Sequence, residues 1–186
     1  MFLARIDLSR KISSNNIEVG QSVAIFPQNS ESDVINCVKA FDWSPDELLG
    51  NKTVKELLTE QIDITTQKVN LDKLFDVARN PGARDFVKAI KQKYDDHVTL
   101  LELSEEFLEA KPDLEVPLFS LEEQSMIPKI KPRFYSIVND PFESSERANS
   151  LKFIFSETKF MKLGRTKRGL CTRFLSDPDV IGNQKI

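Results

Sequence analysis

The segment KPRFYSIVND (131–140) places a cation, two aromatic rings and a hydroxyl within four consecutive residues. In a strand, side chains alternate between the two faces, so Arg133 and Tyr135 would share one face. Phe134 and Ser136 would then share the other. A guanidinium binds phosphate oxygens in pairs, and a tyrosine ring can stack on a flat ligand. Because neither face is cleanly apolar, the segment is consistent with a strand reserved for a ligand that is part charge and part ring. An edge strand with an arginine beside a core tyrosine is the alternative.

A second candidate site lies in GLCTRFLSD, which starts at Gly169. A glycine before a helix start lets an anion approach the backbone, whose free N–H groups point toward it. Thr172 can add a hydroxyl. The same pattern opens many ordinary helices, so by itself it favours a turn and a short helix over phosphate binding. Cys171 could be a reactive thiol at the helix start, but a packing role is favoured because no histidine lies near it in the sequence.

The stretch 159–173 surrounding this turn is basic. It contains no acidic residue, and such a run suits phosphates or an acidic partner protein. A solvated loop with incidental charge is the alternative. Its six cationic residues are Lys159, Lys162, Arg165, Lys167, Arg168 and Arg173.

Composition excludes several other kinds of site. The chain of 186 residues is long enough for one substantial domain, or for a domain with a large insertion. Its net charge of -3 gives no overall bias toward nucleic acid or anionic lipid. Cys37 and Cys171 lie far apart and His97, expected at the surface, is the single histidine, so no metal site and no Ser-His-Asp triad is predicted. The N-terminus lacks the apolar stretch of a secretory signal, and no apolar run approaches a membrane span, so we expect a cytoplasmic protein without a membrane segment.

Hydrophobic spacing divides the chain into three stretches. FLARIDLSRKI and VGQSVAIFP, near the N-terminus, predict two strands with a turn at Gly20. Residues 31–127 predict five or six short helices, because apolar residues recur there at helical spacing. After Pro128, strands return in RFYSIV and LKFIF, and TKFMK is expected to continue the second of these. This order predicts a β domain interrupted by an α insertion.

Two capping boxes support the helical stretch. SPDE at Ser44–Glu47 and TVKE at Thr53–Glu56 each carry a hydroxyl followed three residues later by glutamate. Pro45 suits the first position of a helix that starts at the first box, and Trp43 is then its hydrophobic entry residue. A later helix is expected to stop at Pro81-Gly82.

RFYS and GLCT together resemble the FAD-binding domain of the diflavin reductases, whose motifs are R-x-Y-S and G-V/G-C/A-S/T. Within this family the chain resembles the NADPH-dependent sulfite reductase flavoprotein subunit. VGQSVAIFPQNSESDVINCV, NKTVKELLTEQIDIT and GRTKRGLCTRFL extend the resemblance over nearly the whole chain. The resemblance implies an α+β fold, a flattened antiparallel β-barrel of the ferredoxin-reductase type interrupted by a mainly helical connecting insertion. Residues 1–30 and 128–186 would form a barrel that is incomplete at both ends, and 31–127 would form the insertion.

The resemblance also implies FAD as the cofactor and assigns roles to the RFYS strand. Arg133 would bind the pyrophosphate, and Tyr135 would pack against the flavin or its ribityl chain. Ser136 would hydrogen-bond near the flavin N5, which makes it the candidate catalytic residue, and Phe134 would lie beside it in the binding strand. The neighbouring strand would line the isoalloxazine with Ile154, Phe155 and Ser156.

Further roles follow for the GLCT turn and two outlying residues. The turn would wrap the pyrophosphate, with a side-chain oxygen from Thr172. Thr65 would reach the ligand from the insertion, and Phe160 would lie near the adenine. The members of the turn are Gly169, Leu170, Cys171 and Thr172.

The resemblance therefore predicts an electron-transfer flavoprotein domain. In a complete enzyme, FAD would take a hydride from NADPH and pass electrons to FMN or a partner protein. We expect neither the NADPH-binding domain nor the FMN domain within this chain, which should bind FAD without NADPH turnover. Two alternatives stay open: a binding module without flavin that uses 159–173 on an acidic protein or nucleic acid, and a degenerate remnant that binds nothing. The near-neutral charge balance disfavours nucleic acid.

Overall fold

The computed structural model describes residues 2–7, 20–78, 80–110, 118–138, 150–162, 165–177 and 182–185. The chain forms two compact units. We call residues 1–27 together with 131–186 the strand unit, and residues 28–130 the helical unit. Among the described residues, no helix is both long and apolar enough to cross a membrane.

Nine short strands and six α-helices make up the described structure. The strands are β1 (Phe2–Asp7), β2 (Ser22–Ile25), β3 (Leu48–Leu49), β4 (Lys52–Thr53), β5 (Arg133–Ser136), β6 (Ser150–Phe155), β7 (Lys159–Lys162), β8 (Arg165–Arg168) and β9 (Gly182–Lys185). The helices are α1 (Glu31–Phe41), α2 (Val54–Glu60), α3 (Leu71–Val77), α4 (Pro81–Tyr94), α5 (Leu100–Ala110) and α6 (Leu170–Leu175), with a 3-10 turn at Gln124–Met126. The five α-helices described in the helical unit confirm the prediction of five or six.

Polar side chains cap the helices of the helical unit. The hydroxyl of Thr53 accepts a hydrogen bond from the Glu56 N–H, and the Glu56 carboxylate accepts one from the Thr53 N–H, which confirms the second capping box. The side chains of Ser30, Asn70 and Asn80 accept equivalent bonds at the starts of α1, α3 and α4. Each cap satisfies a backbone donor that the helix itself leaves unpaired. The start of each of these helices is therefore set by the capping residue in its own sequence.

The prediction of a helix that starts at Ser44–Glu47 is wrong. The Glu47 N–H donates to the Ser44 carbonyl in one isolated turn, and β3 then pairs with β4 through a tight hairpin. Gly50 is the first of the two residues that connect β3 to β4, and it has a positive φ of 71°, which suits glycine. The hairpin leaves too few residues to offset the cost of helix nucleation, so the next helix is α2, which starts at Val54 with Thr53 as its cap. Trp43 consequently enters no helix, and its ring packs 4.7 Å from that of Phe41.

The prediction that Pro81-Gly82 stops a helix is also wrong. α3 ends at Val77, and Pro81 is the first residue of α4, with Asn80 as its cap. A proline at this position costs no hydrogen bond, because the first N–H groups of a helix have no internal acceptor. The proline therefore starts a helix here and does not terminate one.

Aromatic rings form the centre of the helical unit. Phe41 lies 5.4 Å from Phe107 and 5.2 Å from Phe119, measured between ring centroids, and all three side chains are buried. The same buried cluster contains leucines from α2, α3 and α5, including Leu58, Leu74, Leu100 and Leu103. Burying a side chain of this size contributes about 1.5–3 kcal/mol relative to leaving it exposed.

Short antiparallel sheets form the strand unit. β1 lies between β6 and β9, β2 pairs with β5, and β7 pairs with β8. A bridge between Ile137 and Phe153 connects the end of β5 to β6. No sheet closes into a barrel among the described residues. The expected continuation of β6 through TKFMK is wrong: that segment forms the separate strand β7, because it pairs with the basic segment 165–168.

Candidate functional site

The RFYS segment forms the predicted strand, and its two faces differ. Tyr135 is half-buried, and its ring lies 5.1 Å from that of Phe153 in the core of the strand unit. Phe134, on the opposite face, is 70% exposed and pairs across the sheet with Ala24. Ser136 is exposed on the same side as Phe134, since side chains alternate along a strand.

The GLCT segment forms the predicted turn and short helix. Gly169 is the N-cap of α6 and contributes no side-chain hydrogen bond to the first turn. Leu170, Cys171 and Thr172 are buried. Cys171 belongs to the core cluster that also contains Phe153 and Ala4, so its thiol is a packing group, as favoured from the sequence.

The tertiary structure brings the two motifs into contact. The Tyr135 hydroxyl donates to the Cys171 sulfur over 3.4 Å, although 36 residues separate them. Burial raises the pKa of the Cys171 thiol, and the Tyr135 hydrogen bond and the Arg133 charge only partly oppose it. Burial and the hydrogen bond to Cys171 likewise raise the pKa of Tyr135. Both groups are therefore neutral at pH 7, and Arg133 is the charged member of this trio.

The Arg133 side chain is accessible to a ligand. Its side chain is exposed and forms no ion pair or hydrogen bond with another residue in the part of the chain that the structure describes. Arg133 lies two residues before Tyr135 and therefore on the same face of β5. An exposed arginine on the face of a strand that also carries a neutral aromatic ring can bind an anion.

Two hydrogen bonds hold the GLCT turn against Thr158, which precedes β7, and a third lies within the turn. The Gly169 N–H donates to the Thr158 carbonyl over 2.9 Å. The Thr158 N–H donates to the Thr172 hydroxyl oxygen over 3.2 Å, and that hydroxyl donates to the Gly169 carbonyl over 3.2 Å. We call Thr158, Gly169 and Thr172 the threonine clasp. Sequence reasoning missed Thr158, because no local pattern marks a residue whose backbone pairs with a distant turn.

The three predicted residues of the neighbouring strand do not share one environment. Ile154 is 41% exposed and Ser156 is exposed, whereas Phe155 is 3% exposed and stacks on Phe2 at 5.3 Å. Alternation along β6 explains the difference. Ile154 and Ser156 can therefore meet a ligand directly, while Phe155 packs behind them in the core. Phe160 lies on β7 with 41% of its surface exposed.

Thr65 belongs to the helical unit, in the loop that follows Asp63. Its N–H donates to the Asp63 carboxylate over 3.2 Å, and Thr66 and Gln67 donate to the same carboxylate. Among the described residues, the Thr65 hydroxyl is buried without a hydrogen-bond partner. Leaving such a group unpaired costs about 1–3 kcal/mol.

The basic stretch is partly neutralised by a neighbouring acid. Lys159 and Arg168 face each other across the β7–β8 pair. The Glu157 carboxylate contacts both, with N···O distances of 3.1 Å to each. A carboxylate shared between two cations weakens the positive field that nucleic acid would need.

The donor set suits a ligand that carries phosphates and a flat ring. Arg133 and the backbone of the glycine turn can meet phosphate oxygens, and Tyr135 and Ile154 offer apolar surface. A metal is a poorer match, since the described residues contain no cluster of three His, Cys, Asp or Glu side chains able to hold one.

Comparison with known proteins supplies the ligand. Residues 1–174 match the family described as FAD binding domain. The cofactor indicated by this match is FAD, whose pyrophosphate and isoalloxazine correspond to the two chemical requirements of the site. No curated protein matches the chain.

Proposed function

Because the chain belongs to the family of FAD-binding electron-transfer domains found in diflavin reductases, we propose that it holds FAD within an NADPH-dependent reductase of the sulfite reductase type. Bound FAD supplies hydride and one-electron transfer. NADPH is the proposed hydride donor, and an FMN domain or a partner protein is the proposed acceptor. The proposal includes a flattened antiparallel β-barrel of the ferredoxin-reductase type for the strand unit and a connecting insertion for the helical unit.

The contact between Tyr135 and Cys171 carries the proposal. It joins the RFYS and GLCT motifs, which are separated along the chain, and Arg133 lies on the same face of β5 as Tyr135. A single dinucleotide needs a cation for its phosphates and an apolar wall for its ring at the same place. The hydrogen bond between Tyr135 and Cys171 is what brings the two motifs to one place.

We assign roles to this chain's own residues accordingly. Arg133 binds the pyrophosphate through its two-pronged guanidinium, and the backbone at Gly169 approaches the same group. Tyr135, neutral at pH 7, provides a rigid ring against the flavin side of the cofactor. Ser136 places its hydroxyl near the flavin N5, where a hydrogen bond can orient the ring or hold a proton. Ile154 closes the apolar side.

Absorption spectroscopy tests the cofactor, and Arg133 tests the site. The purified chain, incubated with FAD and desalted, is expected to retain a visible flavin spectrum. Arg133→Ala should weaken FAD binding by about 1.5–3 kcal/mol, since charged hydrogen bonds contribute that much. Arg133→Lys should recover part of the loss, because it keeps the charge but not the paired geometry. Lys131→Ala, which removes an exposed cation two residues away, is the matched control and should bind FAD normally.

Titration of FAD fluorescence against each variant measures these differences. A chain that stays colourless after FAD incubation would refute the proposed cofactor site. Equal losses in Arg133→Ala and Lys131→Ala would show that only general charge, and no specific contact, attracts the dinucleotide.

A further inference from the structure

The chain enters the helical unit at Gln28, and the next residue holds the end of helix α2. The Asn29 side-chain amide donates to the Leu58 and Ile62 carbonyls over 2.6 Å each, and the Asn29 backbone N–H donates to the Thr59 carbonyl over 3.0 Å. The last carbonyls of a helix have no donor within the helix, so a residue distant in the sequence satisfies them here. The side chain is 4% exposed, and its Oδ1 atom has no partner among the described residues. Both protons of this buried amide therefore go to the end of α2.

The chain leaves the helical unit from the same helix end. The Ile130 N–H donates to the Gln61 carbonyl over 2.7 Å, and the Lys129 carbonyl accepts a hydrogen bond from the Gln67 side-chain amide over 2.8 Å. Ile62 and Lys129 also form an antiparallel bridge. The entry and the exit of the helical unit are therefore both bonded to the residues at the end of α2.

In the strand unit, the residues that flank these two connections are paired with each other. β2 and β5 are antiparallel, and Ile25 is the register partner of Arg133. Asn29 follows Ile25 by four residues, and Arg133 follows Ile130 by three. An extended chain spans at most about 3.6 Å per residue, so two short connections limit how far Arg133 can move independently of Asn29 and Ile130.

We propose that Asn29 is a positioning residue for the FAD site: it holds the end of α2, on which the exit connection is also fixed, and thereby sets the place of Arg133 at the start of β5. The inference rests on the proposed function, in which Arg133 binds the pyrophosphate. It gives the helical unit a role in FAD binding that requires no contact between that unit and the cofactor.

Three single variants of the full chain test the inference. Asn29→Ala removes both side-chain donors from the α2 carbonyls. Asn80→Ala is the matched control, because the Asn80 side chain also satisfies a helix end, the Ala83 N–H of α4, but lies at neither connection. Gln67→Ala is a milder change that removes the hydrogen bond to the Lys129 carbonyl and therefore loosens the exit connection.

Asn29→Ala should weaken FAD binding about tenfold, because a displaced guanidinium loses about one of its paired hydrogen bonds to phosphate. Gln67→Ala should weaken it about threefold by the same route, and it tests the inference alone if Asn29→Ala does not fold. Asn80→Ala should lower the stability of the chain but bind FAD normally. Fluorescence titration measures each affinity at a temperature where circular dichroism shows the variant to be folded.

A double-mutant cycle separates positioning from a general structural role. In a chain that already carries Arg133→Ala, the further change Asn29→Ala should alter FAD affinity by less than about twofold, since the contact through which Asn29 acts is absent. Two independent contributions would instead add.

Amide hydrogen exchange of the FAD-free chain gives a readout that does not depend on the cofactor. Asn29→Ala should accelerate exchange at Ile130 and along Arg133–Ser136, because the start of β5 loses its anchor. Asn80→Ala should leave exchange at both places unchanged.

Three results would overturn the inference. Equal losses of FAD affinity with and without Arg133 would mean that Asn29 acts by another route. A comparable loss in Asn80→Ala would reduce the effect to general destabilisation of the helical unit. Normal FAD affinity in Asn29→Ala would confine Asn29 to the fold. A natural chain that binds no FAD would instead refute the proposed function, and exchange along β5 would then decide alone: acceleration in Asn29→Ala supports the positioning of Arg133, and unchanged exchange overturns it.

Discussion

The helical unit and the strand unit begin their helices in different ways. In the helical unit, Ser30, Thr53, Asn70 and Asn80 each cap the helix that follows them with a side-chain oxygen. In the strand unit, α6 begins at Gly169, which has no side chain and makes no such cap. The first group of helices satisfies its own donors locally. The start of α6 is instead held by Thr158, which is distant from it along the chain.

Aromatic residues show the same contrast. Phe41 in the helical unit is buried among three other rings, whereas Phe134 in the strand unit has most of its surface exposed. An aromatic ring exposed in this way is available to contact a ligand. The helical unit is therefore organised around its own core, and the described part of the strand unit presents surface suited to FAD.

The two thiols should show the largest difference between the units. Burial raises the pKa of Cys37 to about 12 from 9.0, so its thiolate fraction near pH 8 falls about a thousandfold. Cys171 is also shifted upward, but Tyr135 and Arg133 oppose the shift. Timed alkylation of the native chain at pH 8, followed by mass spectrometry, should label Cys171 before Cys37. Arg133→Ala should slow labelling at Cys171.

The same shift has a consequence for stability. Cys37 retains its proton in the folded state more tightly than in the unfolded state. The free energy of unfolding that this difference contributes is therefore fully present below pH 9 and is lost as the pH rises toward about 12. Cys37→Ala should lose less stability over that alkaline range than the natural chain. Faster labelling at Cys37 than at Cys171 would contradict the larger upward shift of the Cys37 pKa.

Phe41→Ala should be the most damaging single truncation of the helical core. It removes a buried ring that contacts Trp43, Phe107 and Phe119, and such changes cost about 3–5 kcal/mol. Urea unfolding followed by circular dichroism measures the loss. Phe41→Leu, which keeps most of the volume, should cost less. A loss below about 1 kcal/mol in Phe41→Ala would mean that the aromatic cluster is not tightly packed.

Thr53→Ala should cost about 1 kcal/mol, because it removes the side-chain half of the α2 capping box. Thr53→Ser retains the hydroxyl and should be close to the natural chain in the same unfolding experiment. Equal losses in the two variants would attribute the effect to the threonine methyl group and not to the cap.

Phe134→Ala should change the stability of the FAD-free chain least, by no more than about 0.5 kcal/mol, because its ring is mostly exposed. The same variant should bind FAD more weakly if the exposed face belongs to the cofactor site. Comparing urea unfolding with FAD titration separates these effects. A large loss of stability without FAD would assign Phe134 to the fold.

Much of the fold follows from patterns within a few residues of each element. The box at Thr53–Glu56 and the alternation in RFYS predicted α2 and β5, because caps and side-chain alternation act over three or four residues. The identical logic failed at Ser44–Glu47, where the turn at Gly50 competes with helix growth. One local pattern can be compatible with two secondary structures, and the neighbouring residues then determine which of them forms.

By itself, the sequence determined most of the helices, the strand character of RFYS and the glycine turn of GLCT. Tertiary structure alone decided that Tyr135 touches Cys171, that Phe155 faces the core while Ile154 faces outward, and that Thr158 closes on Gly169. These contacts join residues far apart in the chain, and they depend on strand register and on which surfaces pack together. No short pattern encodes such a pairing, because its free energy is realised only when both partners are already in place.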